Sequence, residues 1–207
     1  MVYKEDIDQL RLNKILVFDN FLTPTACNKM LFLMDNTSWQ QGRTILKNEQ
    51  NKYVDILSTA RTNSVLPDYS FTPQLKKKVA AIQKLVVNLF NLNKNNFESW
   101  QISKYGIDDH FDFHLDCGLG NDSGGDREKT ILLYLNSPAS GGETFFRALN
   151  LSITPVQGRL VVWDNLLPTG DCNHAMIHAG LPVKQGLKIT LNTWYRQYNI
   201  SHKIKQL

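Results

Sequence analysis

The sequence predicts a mainly β domain, a sandwich or barrel of short strands with two helices packed on one outer face. Three observations carry this. From Phe97 onward apolar and polar residues alternate with period two. Turn-forming residues interrupt the alternation at Asn121 to Gly125, at Ser140-Gly141-Gly142 and at Gln157-Gly158. Two Thr-Pro pairs each precede apolar residues at helical spacing, with Thr as N-cap and Pro as first helical residue.

The elements follow in chain order. Ile15 to Phe18 reads as a strand. Thr23-Pro24 opens a helix with an apolar stripe at Cys27, Met30, Leu31 and Met34. Thr72-Pro73 opens another, where Leu75, Val79, Ile82, Val86 and Leu89 recur on one face. Between them, Ser38 to Pro67 is polar and irregular, open to strands or a mobile loop. Trp100 to Tyr105, Thr130 to Asn136, Thr144 to Arg147, Arg159 to Trp163 and Leu187 to Arg196 read as strands. Short strands at this spacing indicate a sandwich or barrel.

Composition narrows the class. A chain of 207 residues with 42% hydrophobic residues suits one domain with a full core. The expected division is a helical front with a lid, 1–96, and a β core, 97–198. No apolar run reaches the length of a membrane span, and Met1 to Leu10 carries Lys4, Glu5, Asp6 and Asp8 rather than a signal peptide's apolar stretch. A soluble protein of the cytoplasm, or another intracellular compartment, is expected. The net charge of +4 is mild, and Lys76-Lys77-Lys78 and the tail at Lys203 and Lys205 read as solvated surface, so nucleic acid is not the expected partner. The cysteines, Cys27, Cys117 and Cys172, are odd in number and widely spaced, so they read as reduced thiols rather than a disulfide framework.

The residues that carry chemistry lie late in the chain. His114-Leu115-Asp116 is an HxD pair, and on a strand residues two apart share a face. Such a pair leaves a metal half held, so a third ligand must come from elsewhere. His178 is the candidate. Two histidines and one carboxylate form the facial triad of non-haem Fe(II) oxygenases, with positions left open. Ten residues later, Lys188 lies in a strand on which Lys188, Thr190, Asn192 and Trp194 share one face, opposite Leu187, Ile189 and Leu191. That polar face either meets solvent or lines a pocket for an anion, because a buried lysine needs a partner.

These motifs together resemble the catalytic domain of the prolyl 4-hydroxylases, in the Fe(II)- and 2-oxoglutarate-dependent dioxygenase superfamily. The matching pieces run in family order. They are Tyr105-Gly106, Phe111, His114-x-Asp116, Arg127 to Thr130, Tyr134-Leu135-Asn136, Gly141-Gly142-Glu143-Thr144-x-Phe146, Pro155-x-x-Gly158, and His178 with Pro182-Val183, Gly186 and Lys188. Arg61-Thr62-Asn63-Ser64 and the FDNFLT stretch extend the likeness forward. The resemblance implies a double-stranded β-helix (a cupin-like jelly roll) buttressed by the N-terminal helices. It implies Fe(II) held by His114, Asp116 and His178, and 2-oxoglutarate held by Lys188 with Tyr105, Thr144 and Tyr134. It implies O2 as cosubstrate, ascorbate as reductant, and hydroxylation of a proline-containing protein or peptide with release of succinate and CO2.

Rival readings remain beside it. His110 with His114, and His174 with His178, stand four apart as a zinc pair on a helix would, but no HExxH is present. His174 reads as a loop residue and Cys117 as core. Gly141-Gly142 reads as a hairpin turn, and Trp163 as core. A binding module that keeps the pocket without turnover, and an oxygenase acting on another protein residue, a free amino acid or a nucleic acid base, are the alternative functions. Trp39 to Ser64 is the candidate lid, with Arg61, Thr62, Ser64 and Trp194 facing substrate. The compact length resembles single-domain members of microbes, algae and viruses.

Overall fold

The computed structural model describes residues 15–34, 38–47, 50, 53–118 and 124–200. The readings at Met1 to Leu10, at most of the Asn121 to Gly125 turn, and at Lys203 and Lys205 lie outside the described residues. The strands are β1 (Ile15–Phe18), β2 (Gln40–Gln41), β3 (Thr44–Lys47), β4 (Tyr53–Ile56), β5 (Ser64–Pro67), β6 (Gln101–Tyr105), β7 (Phe111–His114) and β8 (Arg127–Tyr134). They continue as β9 (Ser140–Gly141), β10 (Thr144–Phe146), β11 (Leu151–Ile153), β12 (Leu160–Asp164), β13 (His178–Gly180), β14 (Val183–Gln185) and β15 (Lys188–Arg196). Two α-helices, α1 (Pro24–Phe32) and α2 (Pro73–Phe90), precede β6.

The fold is mainly β with few helices, consistent with the jelly roll of 2-oxoglutarate oxygenases. A seven-stranded sheet runs β1-β12-β8-β15-β6-β5-β2, and a four-stranded sheet runs β11-β10-β13-β7. Two hydrophobic clusters flank the large sheet. On one side, Cys27 and Met30 of α1 and Leu75, Val79, Ile82 and Val86 of α2 pack with Ile102, Ile131, Leu133, Leu160 and Leu191. On the other, Tyr134, Val161 and Trp163 pack with Phe146 and Ile153 of the small sheet and with Met176. Strand alternation makes this division possible, since neighbouring residues of β8, β12 and β15 point to opposite faces.

Both helices begin where the Thr-Pro pairs predict. Thr23 accepts from the Ala26 amide at 3.2 Å and Thr72 from the Leu75 amide at 3.2 Å. Each cap satisfies one of the first-turn amides that a helix leaves unpaired. The stripe of α2 ends earlier than its spacing suggests. Leu89 is exposed, and Val87 and Phe90 pack against the core in its place.

Several sequence readings are corrected. Ser38 to Pro67 is neither all strand nor all loop: β5 and β2 extend the large sheet, while β3 and β4 pair only with each other. Asp116 lies beyond the end of β7 rather than within a strand. Strands β9, β11, β13 and β14 escaped the period-two reading because two or three residues hold too little alternation to register. Cys117 and Cys172 form a disulfide, contrary to the expectation of three reduced thiols, and only Cys27 is free among the described residues. Their separation of 55 residues gives no spacing signal; the loop after β12 folds back to bring their Cα atoms to 5.7 Å.

No helix among the described residues is long and apolar enough to cross a membrane.

Candidate active site

The small sheet brings the two distant histidines together. His114 ends β7 and His178 begins β13, and the two are direct cross-strand partners. Their rings lie 4.3 Å apart between centroids. With Asp116 they form the cluster of potential metal ligands, all ligand atoms within 4.8 Å of one another. His114 Nε2 stands 3.7 Å from Asp116 Oδ1, and His178 Nε2 stands 3.7 Å from Asp116 Oδ2.

The outer nitrogen of each ring is taken by a backbone carbonyl. His114 Nδ1 donates to the Asp112 carbonyl at 2.7 Å, and His178 Nδ1 donates to the Met176 carbonyl at 2.9 Å. That bond fixes the tautomer, so each Nε2 turns its lone pair inward. Packing fixes the ring planes: Phe111 stacks on His114 at 3.7 Å, and Trp163 meets His178 edge-on at 4.8 Å. Burial, reinforced by the neighbouring His178, holds the His114 imidazole well below its ordinary value, so it is neutral and able to ligate. For Asp116, burial pushes the carboxyl up. His178, His114 and Arg127 with the Thr130 hydroxyl outweigh it, and the group is held below the usual carboxylate range.

Beside this cluster lies a cavity of about 70 Å³ lined from both sheets, mostly by residues of the large one. Lys188 pairs across strands with Tyr105, Thr190 with Ser103, and Asn192 with Gln101. All six line the cavity. The period of two therefore sends one polar face of β15 and β6 inward, while Ile102, Ile189 and Leu191 join the helix-side core. Lys188 is 2% exposed, which decides between the two readings of its strand face. Its Nζ donates to the Gly142 carbonyl at 2.8 Å and lies 4.2 Å over the Tyr105 ring. No carboxylate forms an ion pair with it among the described residues. Burial pushes its ammonium down to about 7, with Glu143 opposing. Thr144 faces the cavity too, and its hydroxyl shares a hydrogen bond of 2.6 Å with Tyr134. Tyr134 stands behind Thr144 in the core rather than on the cavity wall.

The donor set suits a divalent metal of the facial-triad kind: two imidazoles, one carboxylate and open space on the cavity side. Trp163 and Trp194 line the same cavity, and the indole N–H of each is buried without a hydrogen-bond partner among the described residues.

A wider groove of about 400 Å³ adjoins the cavity, walled by β2, β5 and the residues around Trp194. Arg61 lines both spaces, its guanidinium 4.6 Å over Phe111, and so does Trp194, with Arg127 3.6 Å over its indole. Thr62 and Ser64 line neither. Thr62 instead exchanges two hydrogen bonds with the His110 backbone, and Ser64 sits in β5 opposite Lys104. His110 and His174 lie outside the ligand cluster.

Sequence reasoning missed Gln101 and Ser103 as cavity residues, though alternation from Tyr105 would have found them. It also missed Thr130, which donates to Asp116 Oδ2 at 2.6 Å, and Asn165, which donates to Thr130 Oγ1 at 2.9 Å. No spacing marks Asn165.

Two imidazoles, a carboxylate and a buried lysine around one cavity make up the donor set of a non-haem oxygenase. Residues 100–196 match the sequence model of the 2OG-Fe(II) oxygenase superfamily. Over that stretch the chain is similar to the superfamily, and it is prolyl 4-hydroxylase-like. It is 32% identical over 126 residues to prolyl 4-hydroxylase subunit alpha-1 of Caenorhabditis elegans, an alignment taking in 58% of this chain and 22% of the subunit. It is 27% identical over 192 residues to the human prolyl 4-hydroxylase subunit alpha-3, covering 89% of this chain and 34% of that one. The chain thus spans about a third or less of these two relatives. The fold is similar to that of the viral collagen prolyl hydroxylase of Paramecium Bursaria Chlorella virus-1, solved as a 2-oxoglutarate complex. The TM-score is 0.60 at 23% identity, covering 88% of this chain and 95% of that one.

Proposed function

We propose that this chain is an Fe(II)- and 2-oxoglutarate-dependent dioxygenase that hydroxylates prolyl residues of a peptide or protein, releasing succinate and CO2. One observation carries the reading. Three inward-facing ligand atoms of His114, Asp116 and His178 share a cavity with a buried lysine that no carboxylate among the described residues pairs. A dicarboxylate that also chelates metal fits both halves at once.

Iron and 2-oxoglutarate, when bound, supply the activation of O2 and the hydroxylation of a C–H bond. The chain's residues bind, orient and exclude water. His114 and His178 present fixed lone pairs, and Asp116 presents an ionised oxygen. The Lys188 ammonium takes the distal carboxylate, with Tyr105 and Thr144 lining the same cavity and Tyr134 holding the Thr144 hydroxyl. Lys188 must bind as a cation, so the dianion raises the lysine's affinity for its proton. Trp163, Phe111 and Leu132 keep the cavity apolar between its polar anchors. The adjoining groove receives the peptide, with Arg61 and Trp194 where it meets the cavity. Ascorbate is the proposed reductant for iron that has become oxidised.

The test is succinate formation by purified protein with Fe(II), ascorbate and 2-oxoglutarate under air, with and without a proline-rich peptide. Peptide-dependent succinate, together with one added oxygen on a prolyl residue, is expected. His178→Ala should abolish both. Succinate formation indifferent to the peptide would reject the prolyl substrate, and activity retained in the His178 variant would reject the ligand assignment.

A further inference from the structure

The Asp116 carboxylate lies past the end of β7, beyond the last pair of the β7–β13 ladder at His114 and His178. A circuit of other contacts surrounds it. Thr130, on β8, donates its hydroxyl proton to Asp116 Oδ2 at 2.6 Å, and the Asn165 amide donates to Thr130 Oγ1 at 2.9 Å. All three residues are buried. Asn165 follows β12 directly. Its backbone amide donates to the Glu128 carbonyl and its carbonyl accepts from the Asn173 amide, each at 2.8 Å. Leu166 bridges to Cys172, and Cys172 is disulfide-bonded to Cys117, the residue after Asp116.

The path from Asp116 through Cys117, Cys172, Leu166, Asn165 and Thr130 therefore returns to Asp116. Two points of the carboxylate's position are set along it. The Thr130 hydroxyl fixes the rotation of the carboxylate, because a short charge-assisted bond holds one oxygen. The disulfide restrains the backbone at Cys117, one residue away. Opening the circuit frees the group that must meet His114 and His178 at a metal.

We propose that Thr130 and Asn165 are positioning residues for Asp116, and that the Cys117–Cys172 disulfide makes the circuit a redox-sensitive clamp on metal affinity. The inference rests on reading His114, Asp116 and His178 as metal ligands. A dithiol reductant operates the clamp. Its two thiols give two electrons and two protons to the S–S bond, leaving two cysteine thiols and a cyclic disulfide on the reductant. Cys117 is buried and Cys172 half-buried, so the bond is slow to open beside a fully exposed one.

Co(II) serves as the probe, since its visible spectrum reports ligand geometry without turnover. Titration is compared for oxidised protein and for protein reduced by a phosphine that is then removed under nitrogen, with thiols counted. Reduction should weaken Co(II) binding about tenfold and shift the visible bands, in line with outer contacts of metal ligands. Cys172→Ser should show the same loss and no further change on reduction. Thr130→Val should lose about tenfold, and Thr130→Ser should restore it. Unchanged affinity and spectrum in reduced protein would overturn the clamp. So would loss of far-ultraviolet dichroism on reduction, which would make the bond a general staple. Failure of oxidised wild-type protein to bind Co(II) would instead overturn the ligand assignment.

Discussion

Lys188 is a cation in a cavity wall, held by one carbonyl and the face of Tyr105 and pushed down to about 7 by burial. At and below that value the empty site presents the ammonium ready to pair with a carboxylate. Above it the free protein is neutral at Lys188 and must take up a proton to bind a dianion. Apparent affinity for 2-oxoglutarate should therefore fall with rising pH above about 7, by about tenfold per unit, until the lysine of the complex itself titrates. Calorimetric titration of metal-loaded protein across that range checks it, and a flat profile would mean that the lysine does not anchor the ligand. Lys188→Ala should raise the 2-oxoglutarate requirement on the order of 100-fold, as expected when one partner of a buried charge pair is truncated. The residues of this wall were legible from sequence as a face, because Lys188, Thr190, Asn192 and Trp194 alternate. Whether that face met water or a cavity was not, because the answer depends on which sheet stands opposite.

At the scale of elements, short connections hold the large sheet to its helices. Gly158, between β11 and β12, has φ of +81°, and a Cβ there would strike the Leu22 carbonyl. The Leu22 amide donates to the Gly158 carbonyl at 3.1 Å, so this turn also anchors the segment leading into α1. Gly158→Ala should destabilise the protein by about 1–3 kcal/mol, combining left-handed backbone cost with the clash. Thermal or urea unfolding reads this; unchanged stability would mean the turn relaxes freely. On the groove side, β3 and β4 pair with each other alone, and Arg43 and Thr44 at their base line the groove. If the segment from Trp39 to Ser64 closes over bound peptide, its amides should gain exchange protection on peptide addition. Protection that does not change would remove it as a lid. Helix starts were readable because capping is local chemistry. The division of Ser38 to Pro67 between a sheet edge and a separate hairpin was not, since its pairing partners lie elsewhere in the chain.

Across the whole molecule, the buried lysine links folding to pH. Its folded value of about 7 lies below the ordinary 10.5, so between those values the unfolded chain binds more protons than the native one. Stability of ligand-free protein should therefore rise with pH through that window, and bound 2-oxoglutarate, by restoring the charge, should flatten the rise. Unfolding midpoints with and without ligand would measure this. A rise equally steep with ligand bound would show that another group is responsible.

The sequence by itself determined the period of each long element, the capped helix starts, the polar and apolar faces of β15 and, through the family resemblance, the three candidate ligands with Lys188. These follow from spacing of two and of three to four residues, and from motifs written within a few positions. Only the tertiary structure decided that His114 and His178 are cross-strand neighbours, that Tyr134 stands behind Thr144, and that Cys117 joins Cys172. It also decided that Thr130 and Asn165 close on Asp116. Each of these depends on which distant segments the two sheets bring face to face, and periodicity along a chain reports the direction of a side chain, not what it meets.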